Sequence, residues 1–373
     1  MTDPRTHGPD GRPRARGLGL PFAETCGPWN ALTDVPGVGV GYTTVIHGSG
    51  ELMVGQGPVR TGVTAIRPRL GGDPASPTWA AVHALNGNGE MTGSHWIEES
   101  GHFTGPIAIT NTHSIGMVHH AVVGWLAERS GSRIGGAYDF ALPVIAETSD
   151  AYLNDMNGRH ITEDHVRAAL DGAARTPLAE GNVGGGTGMV SYEFKAGTGT
   201  ASRRVEIDGR TYTVGALVQA NHGIRPWLSV LGVPVGQHLQ ANRFRKRESG
   251  SIIAVVGMDV PLLPIQLRRM ARRISLGVGR TGTPSGDSSG DLFLAFSTAN
   301  AEPLPKRGLG SLDFVPNTAL DPVFLAVVES VEEAIVNALV AAETMTGRDG
   351  RTVHAIDHAA LVDVIRRHGR LRA

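Results

Sequence analysis

Gly250-Ser251 closes the charged stretch "RKRES" and stands directly before an apolar run, residues 252–256. A Gly-Ser pair ahead of a strand is ordinarily a turn. It has a chemical alternative. A serine hydroxyl can attack the carbonyl of the residue before it, an N-to-O acyl shift, and the resulting ester can hydrolyse. Glycine suits the scissile position because it tolerates strained backbone angles and exposes its carbonyl. The product is an N-terminal serine whose α-amino group has a reference pKa of about 7.7–8.0, so a usable fraction is neutral near pH 7. That amine can serve as general base for its own hydroxyl. A site of this kind needs no histidine triad, and no nucleophile elbow is read in the chain.

Four further polar clusters sit where strands should end: "NGNGEMTG" (86–93), "NTHSIG" (111–116), "QANHG" (219–223) and "GDSSGD" (286–291). Each alone is a turn; together, on strand ends of an α/β protein, they point to one shared polar site. The Gly-rich stretch 181–188 lacks the Gly-Lys-Ser/Thr ending of a phosphate loop. "GVGVG" (37–41) lies within a strand pattern and opens no helix, so a dinucleotide site is not expected. In both, the glycines are read as letting two layers approach. His113, His119 and His120 show no metal-ligand spacing and are read as ordinary surface or core histidines.

The elements that must position these residues follow from periodicity. Apolar, β-branched runs at 38–46, 61–68, 78–85, 106–112, 141–148, 188–194, 211–220, 251–257 and 291–298 read as strands, several apolar on both faces. Helical spacing recurs at 116–131, at 162–173 with Thr162 as N-cap, in the amphipathic, Arg-faced segment ending "ISLG", at 321–347, and in a basic C-terminal segment. The class is α/β, with two sheets' worth of strands and covering helices. Residues 240–250 read as an exposed connector.

Composition sets outer bounds. The chain has 373 residues, 40% hydrophobic, 18% charged, with a formal net charge of −1. That balance gives no long-range attraction to nucleic acid or to an anionic membrane, and 5% aromatics offer no stacking platform for bases. Cys26 is the single cysteine, which excludes an intrachain disulfide and a multi-cysteine zinc site. With no signal-like h-region and no long apolar run, a cytoplasmic location is expected. Residues 1–16, rich in Pro, Gly and Arg, are expected to form a disordered tail, and residues 17–373 one catalytic domain.

Segments nearly end to end resemble the DmpA-type family of self-processing N-terminal-serine aminopeptidases, which includes L-aminopeptidase/D-amidase-esterases and β-aminopeptidases. They include "GPWNALTDVPGVGVGYTT", "LNGNGEMTGSHWIEESG", "GPIAITNTHSIG", "PVIAETSDAYLNDMNG", "AEGNVGGGTGM", "VGALVQANHG", "GSIIAVV" and "SGDLFLAFSTAN". The resemblance implies a four-layer αββα sandwich of the type shared with ornithine acetyltransferase, similar to N-terminal-nucleophile hydrolases but differently connected. It implies autocleavage between Gly250 and Ser251 into an α-chain (17–250 with the tail) and a β-chain (251–373), roughly 26 and 13 kDa by proportion. It also implies a homotetramer of αβ units, a short peptide, amino-acid amide or ester as substrate, and no metal or organic cofactor.

Carried over residue by residue, the resemblance makes Ser251 the nucleophile. Ser289 and Asp291 bind the new α-amino group and orient Ser251; the family usually has Glu where this chain has Asp291, so its reach is one methylene shorter. Asn221 is assigned to oxyanion stabilisation. One departure stands out. The family commonly has an aromatic residue after "ET", often a tyrosine of the site, where this chain has Ser149; Tyr152, three residues on, is the available substitute. The alternatives are acyl transfer or hydrolysis of a non-peptide amide on the same fold, and a binding protein that never cleaves.

Overall fold

The computed structural model describes residues 2–74, 76–129, 140–301 and 308–371. In chain order the strands are β1 (Gly39–His47), β2 (Val59–Arg67), β3 (Pro77–Gly87), β4 (His102–Thr104), β5 (Ile107–Asn111), β6 (Val144–Thr148), β7 (Val190–Ser191), β8 (Phe194–Lys195), β9 (Thr198–Ile207), β10 (Arg210–Asn221), β11 (Ser251–Met258), β12 (Gly290–Ser297), β13 (Met345–Thr346) and β14 (Thr352–Val353). The helices are α1 (Ser94–Ser100), α2 (Ile115–Arg129), α3 (Glu163–Asp171), α4 (Val235–His238), α5 (Pro264–Arg280), α6 (Asp321–Val340) and α7 (His358–Arg367).

Two sheets stack face to face, ordered β1-β2-β5-β6 and β4-β3-β12-β11-β10-β9. Neighbours are antiparallel except β5/β6 and β11/β12, which are parallel. The alternation of side chains along a strand assigns the layers. Ile253 and Val255 of β11 face inward with Leu217, Leu294, Ile66 and Ile109, filling the space between the sheets. Ile252, Ala254 and Val256 face outward onto Leu267, Met270 and Ile274 of α5 and Val327 and Val331 of α6. The outer face of the smaller sheet, through Val63, Ala65 and Ile145, packs on Val118, Val122 and Trp125 of α2 and Val166 and Leu170 of α3. The order of layers is helix, sheet, sheet, helix, the αββα sandwich that the resemblance implied.

Four expectations change. The helix expected over 321–347 stops at Val340, and Met345–Thr346 pairs with β14 instead. Residues 188–194 do not make one strand; Tyr192 and Glu193, at φ 52° and 60°, turn the chain into the β7–β8 hairpin. Strand β9 escaped the pattern reading because it is polar. Its Thr200, Ser202 and Arg203 are buried, bonded to the Ala216 carbonyl, Asp34 and Glu333. The end of the expected disordered tail is packed: Arg14 is 2% exposed, its Nε 2.6 Å from Glu180, and the Ala15 N–H donates to Asn337 at 3.0 Å. Arg14 and Arg16, which fall within that tail, each find a buried carboxylate in the folded chain. The last two residues of the expected 116–131 helix lie outside the described residues.

The glycines at 184–186 form a 3-10 turn between the layers. A Cβ at Gly185 would lie 2.1 Å from Oε1 of Gln219 and 2.6 Å from the Ile109 carbonyl, so this is close approach and not a phosphate cradle.

Candidate active site

Strands β3, β12, β11 and β10 end side by side at one edge of the larger sheet, and the polar clusters converge there. Asn88 donates from Nδ2 to the Ser288 carbonyl at 2.7 Å, and Asn86 to the Gly286 carbonyl at 2.6 Å. Asn221, last residue of β10, pairs directly with Ser251, first residue of β11. Asp291 of β12 pairs with Ile252. Residues remote in sequence therefore meet because their strands are neighbours.

Ser251 is 8% exposed, and its Oγ accepts the Gly290 N–H at 3.0 Å. That donor favours negative charge on Oγ, as an attacking or leaving oxygen requires. The Asn221 amide is oriented from both ends: Oδ1 accepts the Val190 N–H at 2.8 Å, and Nδ2 donates to the Ser149 carbonyl at 2.9 Å. An amide nitrogen carries two N–H groups, so one remains to meet an oxyanion. Asp291 Oδ1 accepts the Ile252 N–H at 3.2 Å and the Ser289 hydroxyl at 2.5 Å; Oδ2 accepts the Ser285 hydroxyl. Burial pushes its carboxyl above the usual range, and these donors offset that only in part. Its contact is with the amide one residue beyond Ser251, as befits the shorter aspartate side chain.

The approach to the Gly250–Ser251 bond is pinned. Oε1 of Glu193 takes the Phe244 and Arg245 N–H groups at 2.6 and 2.7 Å. Glu248 Oε1 accepts from the Gly223 N–H at 3.1 Å and from the Thr283 hydroxyl at 2.9 Å. Arg245 donates to the Ser249 carbonyl at 2.6 Å. The connector is thus exposed at residues 241–243 and held at 244, 245 and 248. Gly250 has φ 139°, and a Cβ there would lie 1.7 Å from the Asn221 carbonyl oxygen. Only glycine fits.

Ser251, Gly250, Asn221, Ser149 and Tyr152 line one open cleft of about 800 Å³. Ser149 contributes its carbonyl to Asn221, while its hydroxyl faces Met156. Tyr152 stacks on Phe244, ring centroids 4.6 Å apart, and walls the cleft. Ser289, 1% exposed, lies behind it.

The residue reading missed Glu147. This carboxylate at the end of β6 lines the same cleft and is 3% exposed. It accepts the Thr112 hydroxyl and, at 3.1 Å, the Glu90 N–H. Burial raises its pKa, offset in part by those two donors. An acid closing the otherwise apolar run "PVIA" was the available signal. The string Gly286-Asp287-Ser288-Ser289-Gly290 does spell Gly-x-Ser-x-Gly, which the residue reading passed over. It leads into β12 rather than from a strand into a helix, so it is not an elbow.

Comparison with known proteins agrees with this geometry. The chain is 49% identical to beta-peptidyl aminopeptidase BapA of Sphingosinicella microcystinivorans, over 97% of this chain and 94% of that protein. It is 45% identical to the BapA of Sphingosinicella xenopeptidilytica, over 95% of this chain and 91% of that protein. Among solved structures, the L-aminopeptidase D-Ala-esterase/amidase of Ochrobactrum anthropi, a variant of the Ntn-hydrolase fold, matches with a TM-score of 0.92 and 54% identity, covering 97% of this chain and all of that one. A Burkholderia sp. beta-aminopeptidase matches with a TM-score of 0.87 and 44% identity, covering 95% of this chain and 99% of that one. The model of peptidase family S58 matches residues 30–353, and the chain belongs to that family.

Proposed function

We propose that this chain is a serine aminopeptidase that first cuts itself between Gly250 and Ser251. The Ser251 hydroxyl attacks the Gly250 carbonyl; the C–N bond breaks, the hydroxyl proton passes to the leaving nitrogen, and an ester joins Gly250 to Oγ. Water hydrolyses the ester, leaving a carboxylate on Gly250 and a free amine and hydroxyl on Ser251. Fragments 1–250 and 251–373 remain one folded unit, because β10, β11 and β12 share a sheet across the cut.

In turnover the Ser251 amine takes the hydroxyl proton as Oγ attacks a short peptide, amide or ester with a free amino terminus. The second Asn221 N–H holds the oxyanion. Asp291, steadied by Ser289, sits where it favours the protonated amine after attack. Glu147 receives the substrate ammonium, the one group that every such substrate presents. The named relatives support this substrate class, including β-amino acids at the amino terminus. The family resemblance supports a homotetramer of αβ units.

The observation that carries the proposal is a glycine that nothing else can replace, joined to a serine whose Oγ already accepts the Gly290 N–H beside Asn221. Intact mass and N-terminal sequencing test it. Wild type should yield a chain beginning Ser-Ile-Ile-Ala, and Ser251→Ala should stay whole. A folded wild type that remains one chain would sink the mechanism.

A further inference from the structure

We infer that Arg351 receives the substrate's C-terminal carboxylate, so that zwitterionic di- and tripeptides are preferred over the corresponding amides. This rests on the aminopeptidase reading above and names the substrate class more narrowly.

The strand order sets the order of residues along one wall of the cleft. From the β3 end come Gly89 and Glu90, whose N–H binds Glu147; then Ser288 before β12, Ser251 on β11, and Asn221 on β10. The Tyr152 loop is tied to Asn221 through the Ser149 carbonyl. Arg351 sits against that loop, its guanidinium 5.2 Å from the centre of the Tyr152 ring. One cleft therefore holds a buried acid, Glu147, the nucleophile Ser251 and a cation, Arg351.

The Arg351 charge is undercompensated. Its nearest carboxylate, Asp349, is 3.5 Å away, and Arg348 holds that same oxygen at 3.0 Å. One carboxylate cannot neutralise two guanidinium groups. Arg351 is 38% exposed at the side chain and lines the cleft. The other cleft arginine, Arg245, is already engaged by the Ser249 carbonyl. The Tyr152 ring, itself backed by Phe244, holds the Arg351 guanidinium at the cleft, where donors not turned to Asp349 can meet an anion.

An extended peptide of two or three residues reaches ~7–11 Å, short enough for a cleft of about 800 Å³ that holds both Glu147 and Arg351. Its positive amino end calls for the acid and its negative carboxyl end for the cation.

The test compares kcat/KM for a dipeptide X-Gly with that for X-Gly-amide, X being the residue whose simple amide is cleaved best. Each ratio is measured on one preparation, so partial misfolding cancels. Wild type should favour the free acid about tenfold, a charge-assisted contact discounted for partial exposure. Arg351→Met should bring the ratio near one, Arg351→Lys should keep part of it, and 0.5 M salt should shrink it in wild type. A wild-type ratio near one, or a ratio untouched by Arg351→Met, overturns the inference while leaving the aminopeptidase reading intact. Failure to cleave any of the three substrates, the simple amide included, overturns both.

Discussion

Two groups of buried carboxylates in this molecule are treated differently. In the network that ties the N-terminal segment to β9 and α6, Glu333 lies 2.6 Å from Arg16 and 2.7 Å from Arg203, with Asn30 donating as well. Burial is the largest influence on Glu333 and would raise its pKa, yet Arg203 and Arg16 outweigh it and the pKa is lowered. Glu180, with Arg14 alone, stays raised by burial. In the cleft, Glu147 and Asp291 have hydroxyl and amide donors, and no arginine or lysine stands among the causes of their shifts. Both are raised. The neutral donors at Glu147 and Asp291 do not offset desolvation, nor does the single arginine at Glu180; the two arginines at Glu333 do. The network is complete as folded, whereas in the cleft neither Glu147 nor Asp291 is paired with an arginine or lysine among the described residues. The proposed chemistry supplies two cations there, the protonated Ser251 amine beside Asp291 and the substrate ammonium beside Glu147.

The strongest way to break this contrast is Glu333→Gln. Removing one member of a buried, fully paired set should cost ~3–5 kcal/mol, read by urea unfolding. Because the Glu333 pKa is lowered, its contribution is present above the ordinary glutamate value and lost as pH falls through the lowered one, so the gap from wild type should close in acid. A cost below ~1 kcal/mol would mean that the network is no more than surface-like pairing.

Glu147→Gln sharpens the other side. Stability should change little, since the carboxyl is already disfavoured as an anion. For substrates with a free amine, kcat/KM should fall on the order of 10²-fold, the scale of losing a buried charge partner. Cleavage at Gly250–Ser251, which presents no ammonium, should proceed. A loss below ~3-fold would remove Glu147 from substrate binding.

The smallest effect is one of slope. Glu147 must be ionised to hold an ammonium, and its pKa lies above the ordinary 4.5. The Ser251 amine, with a reference value of about 7.7–8.0, must be neutral to act as base. Log kcat/KM should therefore rise with slope one between these pKa values and steepen toward two below the Glu147 pKa. In Glu147→Gln only the slope of one should remain.

Much of this was legible before folding was considered. The alternating and continuous apolar runs located the long strands to within a few residues, because a side chain's face is a property of local backbone period. Strand β9 was not legible: Thr200, Ser202 and Arg203 look like surface until their partners on Asn30, Asp34 and α6 are placed. The four strand-end clusters were visible as a set, while Glu147 was hidden among apolar neighbours in "VIAET". Ser285 and Arg351 gave no local signal, since each matters only through a neighbour far along the chain.

By itself, then, the sequence determined the two-faced strands, the glycine–serine junction at the head of β11, and the family. Each depends on residue identity and short-range spacing, which need no third dimension. Only the tertiary structure decided which buried acids have cations and which await them. A carboxylate's charge state depends on desolvation and on charges within a few ångströms. Those distances, between Arg16 and Glu333 or between Glu147 and the cleft, are set by how layers pack and not by separation along the chain.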